Sequence, residues 1–395
     1  MNFELTADQH RLHREITDYL QQRLTPELEA ELLICPEGGG PDTPPHYNAL
    51  LRQMGKDGWL GLGWPAEYGG QGRSAIDQYV FFDTVMGYYG LPLPMLALNT
   101  VGPTLMKHGT DDQRQRFLPP ILTGELNIAI GYTEPASGTD LASLQTRAVR
   151  DGDHYIINGQ KVFTSLAHHC DYIWLAARTD PDVKKHKGIS IFMVDINSPG
   201  ITVNPINAMG GFRSNATFYD DVRVPVDCLI GEENRGWSYI NSQLAMERVG
   251  LVPHSKTGRH IELMTAWAKD NTVDGCKVIE KPWVRSKLAD LTMRMEVLKL
   301  FNYRVAWQIT QGIESMAEAS MTKVFGTELM QDVTGSCMEM MGLHGGLQPP
   351  DELAPSRGRI QRDFLTMRLL TFGGGSNEVL RDLIALFAIG LPPSR

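Results

Sequence analysis

The amino-acid sequence predicts an α+β protein in which a helical domain, a β-rich domain and a second helical domain follow one another. Hydrophobic residues recur at helical spacing over about residues 5–125, at strand spacing over about 127–232, and again at helical spacing from about 234 onward. The chain has 395 residues, which exceeds a typical single core. We therefore predict domains at residues 1–126, 127–233 and 234–395.

Helices in the first domain are predicted from apolar residues that recur three or four positions apart. The segments with this pattern are ADQHRLHREITDYLQQRL, YNALLRQMGKDGWL and DQYVFFDTVMGYYG. Glycine and proline cluster in CPEGGGPDTPP (35–45) and in LGWPAEYGGQG (62–72), and this composition predicts two loops.

Strands in the second domain are predicted from short segments rich in valine, isoleucine, tyrosine and threonine, which turn signals such as DGD, NG and SPG separate. The segments are NIAIGYT, YIINGQKVFTS, DYIWLAART, GISIFMVDI, ITVNPI and DDVRVPVDCLI. Because no helical pattern lies between them, an antiparallel barrel or sandwich is favoured over a parallel sheet.

The third domain is predicted to be a four-helix bundle. Its long helical patterns are RGWSYINSQLAMERVGLV, VRSKLADLTMRMEVLKLFNYRVAWQI and MAEASMTKVFGTELMQDVTGSCMEMMG. No internal repeat is apparent in the sequence.

Composition argues against several classes of function. The formal net charge of −9 leaves no basic excess to neutralise phosphates, which argues against a nucleic-acid-binding protein. The five cysteines form no CxxC pair, so no zinc knuckle or disulfide framework is expected, and their sparse spacing favours a reducing cytoplasm. No apolar run is long enough to span a bilayer, and the N-terminus lacks the apolar core of a signal peptide.

Metal and nucleophile motifs are also missing from the sequence. HExxH, GxSxG and EF-hand patterns do not occur, so we expect no metal site. His168, His169 and Cys170 are adjacent, but adjacent residues rarely ligate one metal together, and we assign this loop no chemistry.

The segment AMERVG (245–250) places the carboxylate of Glu247 on a helix. At about 100° per residue, Glu247 falls near Ile240 and Leu251 on the apolar side of that helix. An isolated glutamate at the edge of such a stripe is more often a surface residue or the partner of a neighbour such as Arg248. A partly desolvated carboxylate is nevertheless a better proton acceptor, which makes Glu247 a candidate base.

Two polar segments are candidates for binding a phosphate-bearing cofactor. In GYTEPASGTD (131–140), the hydroxyls of Thr133 and Thr139 and the local backbone N–H groups are donors, although a strand ending in a turn would give the same pattern. NGQKVFTS (158–165) adds the aromatic ring of Phe163 and the hydroxyl of Ser165. Aromatic residues in strands are more often core residues, and that alternative stays open for Phe163.

The segment TFGGGSNEVLRD (371–382) is a glycine-rich loop that leads into a helix. Three consecutive glycines allow the backbone to approach a ligand closely. Alternatively, the loop is only the start of a helix, with Ser376 or Asn377 as N-cap. It is neither a Rossmann motif nor a P-loop, because no strand–helix–strand unit surrounds it and no Gly-Lys-Ser/Thr follows.

Four ordered motifs make the chain resemble the acyl-CoA dehydrogenases over nearly its whole length. They are WPAEYGGQG (64–72), TEPASGTD (133–140), NGQKVFTSL (158–166) and VRVPVDCLIG (222–231). The resemblance implies the three-domain fold, FAD as cofactor, an acyl-CoA thioester as substrate and an electron-transfer flavoprotein as electron acceptor. It also implies an FAD site that contains Tyr132, Thr133, Thr139, Phe163 and Ser165.

One departure from the family pattern concerns the catalytic base. Many members carry the base in YEGTSE, whereas this chain has FGGGSN (372–377), with Gly373 in place of the glutamate. In another branch of the family the base precedes a conserved arginine on a helix, and Glu247–Arg248 matches that place. The resemblance therefore implies Glu247 as the base, Arg248 and the Gly373 backbone as substrate-binding groups, and a bulky or branched acyl group.

A second departure concerns the FAD site. Homotetrameric members carry Arg-x-Phe-Gly before VRxKLADM, and that arginine reaches the FAD of a neighbouring subunit; VIEKPWVRSKLADL (278–291) lacks it. In EMMGLHGG (339–346), Glu339 replaces a family glutamine. With DGWLGLGWPAEYGGQGRSA (57–75), this pattern is similar to the bacterial heterotetrameric dehydrogenases of steroid side-chain CoA thioesters. It implies a second dehydrogenase-like chain in an α2β2 assembly.

The sequence thus predicts FAD-dependent α,β-dehydrogenation of an acyl-CoA thioester, in which Glu247 takes the α-proton and flavin N5 accepts the hydride. Three alternatives stay open: an acyl-CoA oxidase, a flavin monooxygenase of the same fold, and a noncatalytic subunit that completes another chain's FAD site. The presence of Glu247 and Arg248 argues against the last, because a purely structural subunit has no need of a buried carboxylate.

Overall fold

The computed structural model of the chain describes residues 4–34, 45–250, 252–273, 275–313, 316–348 and 351–392, except for the side chains of residues 244–250. The predicted loop at 35–45 therefore lies outside the described residues, apart from its last residue. The side chains of Glu247 and Arg248 lie outside them as well, so their roles stay predictions.

Helices make up the first part of the chain, as predicted. They are α1 (Ala7–Gln21), α2 (Pro26–Ile34), α3 (Pro45–Lys56), α4 (Ala75–Phe82), α5 (Gly102–His108) and α6 (Asp111–Leu122). Helix α1 begins at a capping box formed by Thr6 and Gln9, and its buried side consists of Leu12, Ile16 and Leu20.

Two π-helical segments interrupt this helical part. One continues α4 over Asp83–Tyr88, and the other covers Leu96–Val101 just before α5. π-Helical turns are rare in proteins as a whole, and those that occur are often found at functional sites. Hydrophobic periodicity in a sequence does not reveal them. The predicted loop at 62–72 is present and contains one short 3-10 turn, Ala66–Tyr68.

The middle part of the chain forms one sheet. Its strands are β1 (Ile128–Gly131), β2 (Arg147–Asp151), β3 (His154–Lys161), β4 (Tyr172–Arg178), β5 (Ile189–Asp195), β6 (Ile201–Asn207), β7 (Arg213–Pro225) and β8 (Leu229–Ile230). They run in the order β6-β7-β3-β2-β4-β5-β8, and β1 lies beside β4.

The sheet is mostly antiparallel, as predicted, but it also contains two parallel contacts. Strand β1 pairs with β4 in parallel, with Ile128 opposite Tyr172, and β2 also pairs with β4 in parallel, with Arg147 opposite Arg178. A parallel pair needs a long connection, and here the connection from β1 to β4 contains β2 and β3. The sheet is therefore mixed.

Strand β4 is buried on both faces of the sheet. Trp174 and Ala176 pack into the core that the sheet shares with the first helical part, whereas Ile173, Leu175 and Ala177 pack into a second core on the opposite face. Burial on both faces accounts for the nearly continuous apolar sequence of this strand.

The last part of the chain is helical again, as predicted. It contains α7 (Gly236–Gly250), α8 (His254–Asp270), α9 (Pro282–Thr310), α10 (Met316–Met341), α11 (Arg359–Thr366) and α12 (Asn377–Ile384). A short hairpin of β9 (Thr272–Val273) and β10 (Cys276–Lys277) joins α8 to α9. Helix α10 is central, because α7, α8, α9, α11 and α12 all pack against it.

Helix length and hydropathy bear on the predicted absence of a membrane span. Across the described residues, none of the helices combines the length and the apolar character that crossing a bilayer requires.

Candidate active site

The loop that follows β1 is anchored by a buried ion pair. Nζ of Lys161, at the end of β3, lies 2.8 Å from Oε1 of Glu134, and these side chains are 0% and 6% exposed. The Glu134 carboxylate also accepts backbone hydrogen bonds from Gln145 (2.6 Å) and Thr146 (2.8 Å). Lys161 in addition donates to the carbonyl of Tyr132 at 3.1 Å. These bonds hold the backbone of the TEPASGTD loop in one conformation.

Charge and hydrogen bonding keep this pair ionised. Burial by itself would raise the pKa of Glu134, but the Lys161 charge and the hydrogen bonds outweigh burial and hold that pKa below its usual value. Burial lowers the pKa of Lys161 to about 8, although Glu134 opposes this shift. Sequence reasoning did not single out either residue, because the pairing of two distant charged residues leaves no local pattern.

Tyr132 connects this loop to α7. Its hydroxyl donates a short hydrogen bond to the side-chain oxygen of Gln243 and accepts one of 3.0 Å from Nε1 of Trp174. Gln243 is buried on α7 and donates in turn to Oγ1 of Thr104 at 2.8 Å. Residue 247 follows Gln243 by about one helical turn, so the predicted cofactor loop and the helix of the predicted base adjoin.

The remaining predicted cofactor residues surround the end of β3. The Thr133 carbonyl accepts a 2.8 Å hydrogen bond from the Val162 backbone, which joins the two predicted cofactor segments, and Thr133 itself is half-buried. Thr139 is exposed and Ser165 is half-buried. Ser165 donates its backbone N–H to the Phe163 carbonyl at 2.9 Å, which closes a tight turn.

Phe163 is not a core residue, so that alternative for it is wrong. Its side chain is 63% exposed, and its φ of +57° turns the chain out of the strand. A positive φ at a phenylalanine is rare, and residues with such strained backbones cluster at functional sites. An exposed aromatic ring, in a segment whose backbone is hydrogen-bonded to Thr133, fits a flavin, whose ring offers a stacking surface and several hydrogen-bonding atoms.

The glycine loop is anchored to the middle of α10. Ser376 is the N-cap of α12, and its hydroxyl accepts from the Val379 backbone at 3.3 Å, as one of the sequence alternatives predicted. The fully buried Lys323 donates from Nζ to the Gly375 carbonyl (2.8 Å) and to Oδ1 of Asn377 (3.0 Å). Gly375 has a φ of +96°, which only glycine adopts without strain.

Gly373 lies in the same loop. Its N–H donates to the Leu369 carbonyl at 2.8 Å, so the predicted role of this N–H toward a substrate oxygen competes with an existing hydrogen bond. A Cβ added at Gly373 would meet only that carbonyl oxygen, at 3.3 Å. The absent side chain therefore leaves open space on the other sides.

A cavity of about 390 Å³ lies between the first helical part, the sheet and the C-terminal helices. One predicted site residue, Ser165, lines this cavity. Leu369 also lines it, and the carbonyl of Leu369 accepts the hydrogen bond from the Gly373 N–H. Both π-helical segments contribute to its wall. Its apolar lining consists of Met86, Leu91, Leu93, Met95, Leu96, Ala97, Ile128, Leu166, Phe212, Met367, Leu369 and Leu370.

Helices α8 and α11 add charged residues to this cavity that sequence reasoning missed. We call Lys256, Arg259, His260, Arg359 and Arg362 the basic cluster. It surrounds Asp363, which is 4% exposed, with His260 Nε2 at 3.0 Å and Lys256 Nζ at 3.5 Å from its carboxylate. Burial favours protonation of Asp363, but Lys256, His260 and Arg362 outweigh it and hold the pKa of this carboxyl well below its usual range.

Comparison with known proteins places this geometry in context. Family models of the N-terminal, middle and C-terminal domains of acyl-CoA dehydrogenase match residues 6–125, 129–222 and 234–388. Acyl-CoA dehydrogenase FadE26 of Mycobacterium tuberculosis is 45% identical over 401 residues, which cover 99% of each chain.

Solved structures are similar over the same length. The Tcur3481-Tcur3483 steroid ACAD has 44% identity and a TM-score of 0.92, with 100% of both chains covered. The ChsE4-ChsE5 complex from Mycobacterium tuberculosis has 44% identity and a TM-score of 0.91, covering 99% of this chain and 100% of that chain.

Proposed function

Because the chain belongs to the acyl-CoA dehydrogenase family, we propose that it desaturates the α,β-carbons of a bulky acyl-CoA thioester, with Glu247 as the base. FAD, the cofactor of the family, supplies the hydride acceptor when bound. The observation that carries this proposal is the contact between Tyr132 and Gln243, because it joins the predicted cofactor loop to α7 about one turn before residue 247.

Five residues of this chain are proposed to hold FAD. The hydroxyls of Thr133, Thr139 and Ser165 would provide hydrogen bonds, and Phe163 would provide its exposed ring face. Tyr132 would act mainly by fixing the loop, since its hydroxyl is already bound to Gln243 and Trp174.

Proton removal needs a base and a means of stabilising charge on the thioester oxygen. An α-C–H bond is a weak acid, and hydrogen bonds to the carbonyl lower the cost of forming the enolate. Glu247 would take the α-proton while the β-hydrogen leaves with its electron pair as hydride. The Gly373 N–H would bind the thioester oxygen after releasing Leu369, and Arg248 would contact the substrate.

A bulky acyl group is proposed on two grounds. The cavity of about 390 Å³ lies within the size range of pockets for drug-sized ligands, and the absent side chain at Gly373 leaves space beside it. A steroid ACAD is also among the similar structures. We therefore propose a steroid side-chain thioester as the substrate class.

A second dehydrogenase-like chain is proposed to complete the FAD site in an α2β2 assembly. One ground is the apolar surface of α9, where Met293, Val297 and Leu300 are 62%, 37% and 42% exposed at helical spacing. Another is that a similar structure, ChsE4-ChsE5, is a complex of two named components. An electron-transfer flavoprotein as acceptor and a reducing cytoplasm complete the proposal; the cysteines within the described residues are free thiols.

The test is an anaerobic titration of the chain purified together with its partner. Steroid side-chain CoA thioester should bleach the oxidised flavin absorbance stoichiometrically, and straight-chain acyl-CoAs should do so less readily. Rapid oxygen consumption would indicate the oxidase instead. Flavin that no acyl-CoA reduces, with bound substrate, would indicate the noncatalytic subunit and overturn the proposal.

A further inference from the structure

The basic cluster gives one end of the cavity an excess of positive charge. Among the described residues that line the cavity, four carry permanently cationic groups, and Asp363 is the single carboxylate. That carboxylate is already engaged by His260 and Lys256. The charge of the cluster is therefore only partly compensated within the described part of the chain.

Arg359 is the member of the cluster that is available for a ligand. Arg259 contacts Glu262 and the Tyr88 hydroxyl at 3.4 Å, and Arg362 contacts the Leu32 carbonyl at 3.4 Å. The side chain of Arg359 makes no hydrogen bond or ion pair to any residue in the described ranges, although it is half-buried. Burial lowers the pKa of Arg359 from its ordinary value. Partly buried guanidinium groups without a partner are costly, and a bound anion would remove that cost.

The cavity connects this arginine to the proposed reaction site. Arg359 is the first residue of α11, whereas Leu369 lies just beyond its end and binds the Gly373 N–H. An eight-residue helix is about 12 Å long, and both residues line the same cavity. Outside the basic cluster and Asp363, the wall of the cavity is mainly apolar. A ligand that fills the cavity thus has a bulky apolar body with its far end at the cluster.

We infer that the basic cluster binds a carboxylate carried at the far end of the acyl group, on the opposite side of the acyl body from the thioester. This inference rests on the proposed function and names a subclass of its substrates. A carboxylate accepts two parallel hydrogen bonds from one guanidinium, and a keto oxygen at the same place accepts fewer and carries no charge. The preferred order is therefore carboxylate, then ketone, then hydrocarbon.

The experiment uses the FAD-loaded assembly of this chain with its partner. Three CoA thioesters with one polycyclic acyl body are compared, and their far ends carry a carboxylate, a ketone or a methyl group. For the unaltered assembly, we expect kcat/KM for the carboxylate to exceed that for the methyl compound by about 10- to 100-fold. Arg359→Leu should abolish this ratio, and Arg359→Lys should retain part of it.

Arg357→Leu is the matched control. Arg357 is exposed, lies two residues before Arg359 and pairs with Glu29 at 2.8 Å, and it does not line the cavity. The carboxylate-to-methyl ratio should be unchanged in this variant. If Arg359→Leu fails to assemble, Arg359→Lys and the three-substrate comparison on the unaltered assembly still decide the outcome.

Other outcomes would overturn the inference and identify the reason. Equal kcat/KM values for the three thioesters would refute the proposed carboxylate site, and the proposed dehydrogenation would still stand. A loss of flavin per chain or of affinity for free CoA in Arg359→Leu would assign the cluster to a phosphate. Failure of all three compounds to reduce the flavin would count against the proposed function, and calorimetric affinities for the three compounds would then decide the carboxylate site separately.

Discussion

Lys161 donates a hydrogen bond of 2.8 Å to Glu134 beneath the loop that carries Thr133 and Thr139. The pair joins the end of β3 to the segment after β1 and so fixes two of the proposed FAD-binding segments to each other. The Thr133–Val162 hydrogen bond of 2.8 Å reinforces the same connection. Because the pair is buried, it supports the loop of the proposed cofactor site and is not exposed to bind the cofactor itself.

Lys161→Met should destabilise the protein strongly. The substitution leaves the buried Glu134 carboxylate without its cation, and breaking a buried pair in this way costs about 3–5 kcal/mol. Urea unfolding of the variant measures this change, and flavin absorbance per chain should fall with it.

The exposed pair of Lys185 and Asp140 is the control for this variant. Its atoms are 2.7 Å apart, but its side chains are 48% and 57% exposed, so Lys185→Met should cost about 0–1 kcal/mol. Adding Glu134→Gln to Lys161→Met should recover part of the lost stability, since the unpaired buried charge is removed. Equal destabilisation by Lys161→Met and Lys185→Met would refute the anchoring role.

Glu247→Gln should nearly abolish flavin reduction by the acyl-CoA thioester. Loss of a positioned base costs about 10²–10⁴-fold in rate, and Gly373 has no side chain to replace it. Stopped-flow reduction of the assembled enzyme measures the rate. Glu15→Gln makes the same chemical change on the exposed side of α1 and should leave the rate unaltered. A near-normal rate of flavin reduction in Glu247→Gln would show that Glu247 is not the base.

Asp83→Asn should reduce stability in a pH-dependent manner. Asp83 joins the first π-helical segment to the start of α8, because it accepts hydrogen bonds from the Tyr79 hydroxyl (3.0 Å) and the Ser255 N–H (3.1 Å), with His254 Nδ1 at 3.0 Å. Burial would raise its pKa, but His254 and Ser255 outweigh burial and lower it. At neutral pH, the variant should lose about 3 kcal/mol of unfolding free energy.

The pH dependence follows from the lowered pKa. The unfolded carboxyl titrates at about 4, so the contribution of Asp83 is complete above that pH and is lost as pH falls through the lower folded pKa. The difference between the unaltered chain and Asp83→Asn should therefore shrink as pH falls below about 4. Urea unfolding at several pH values measures it, with the exposed Asp18→Asn as control. A difference that grew on acidification would contradict the lowered pKa of Asp83.

Helical periodicity and continuous apolar runs in the sequence predicted the elements that are rich in apolar residues. Helices α7, α9 and α10 and strands β4 and β5 belong to this group. Strand β2 was missed because Ala148 is its single buried residue, and α8 was missed because polar Thr257 and His260 interrupt its buried face. The parallel contact of β1 with β4 was missed because it depends on chain topology rather than on local sequence.

The residues of the candidate site also fall into a group that the sequence predicted and a group that it did not. Sequence reasoning could find Thr133, Phe163 and Ser165, because short motifs contain them. The structure joins their two segments by a backbone hydrogen bond. Glu134–Lys161 and the basic cluster around Asp363 were missed, because each depends on charged residues that only the tertiary fold makes neighbours. Isolated charges in a sequence are ordinarily solvated surface residues.

Lys323→Met should loosen the glycine loop and slow flavin reduction. Its ammonium donates to the half-buried Gly375 carbonyl and to the buried Oδ1 of Asn377, and a methionine leaves both acceptors without this donor. We expect a loss of about 1–3 kcal/mol in stability and faster hydrogen exchange at residues 372–376. Lys269→Met, an exposed substitution on α8, should change neither. Unchanged exchange in Lys323→Met would show that other contacts hold the loop.

The last prediction concerns assembly. Expressed alone, the chain should retain little FAD, and coexpression with a second dehydrogenase-like chain should restore it, because VIEKPWVRSKLADL (278–291) lacks the arginine that reaches a neighbour's flavin. One complete site per pair predicts two FAD in an α2β2 assembly.

Met293→Glu places a charge on the exposed apolar stripe of α9 and should reduce both assembly and flavin content. Val183→Glu makes a similar change at a residue that is 41% exposed, in the connection between β4 and β5, and should reduce neither. Light scattering gives the mass and flavin absorbance gives the stoichiometry. A homotetramer of this chain alone, with one FAD per subunit and full activity, would rule the partner out.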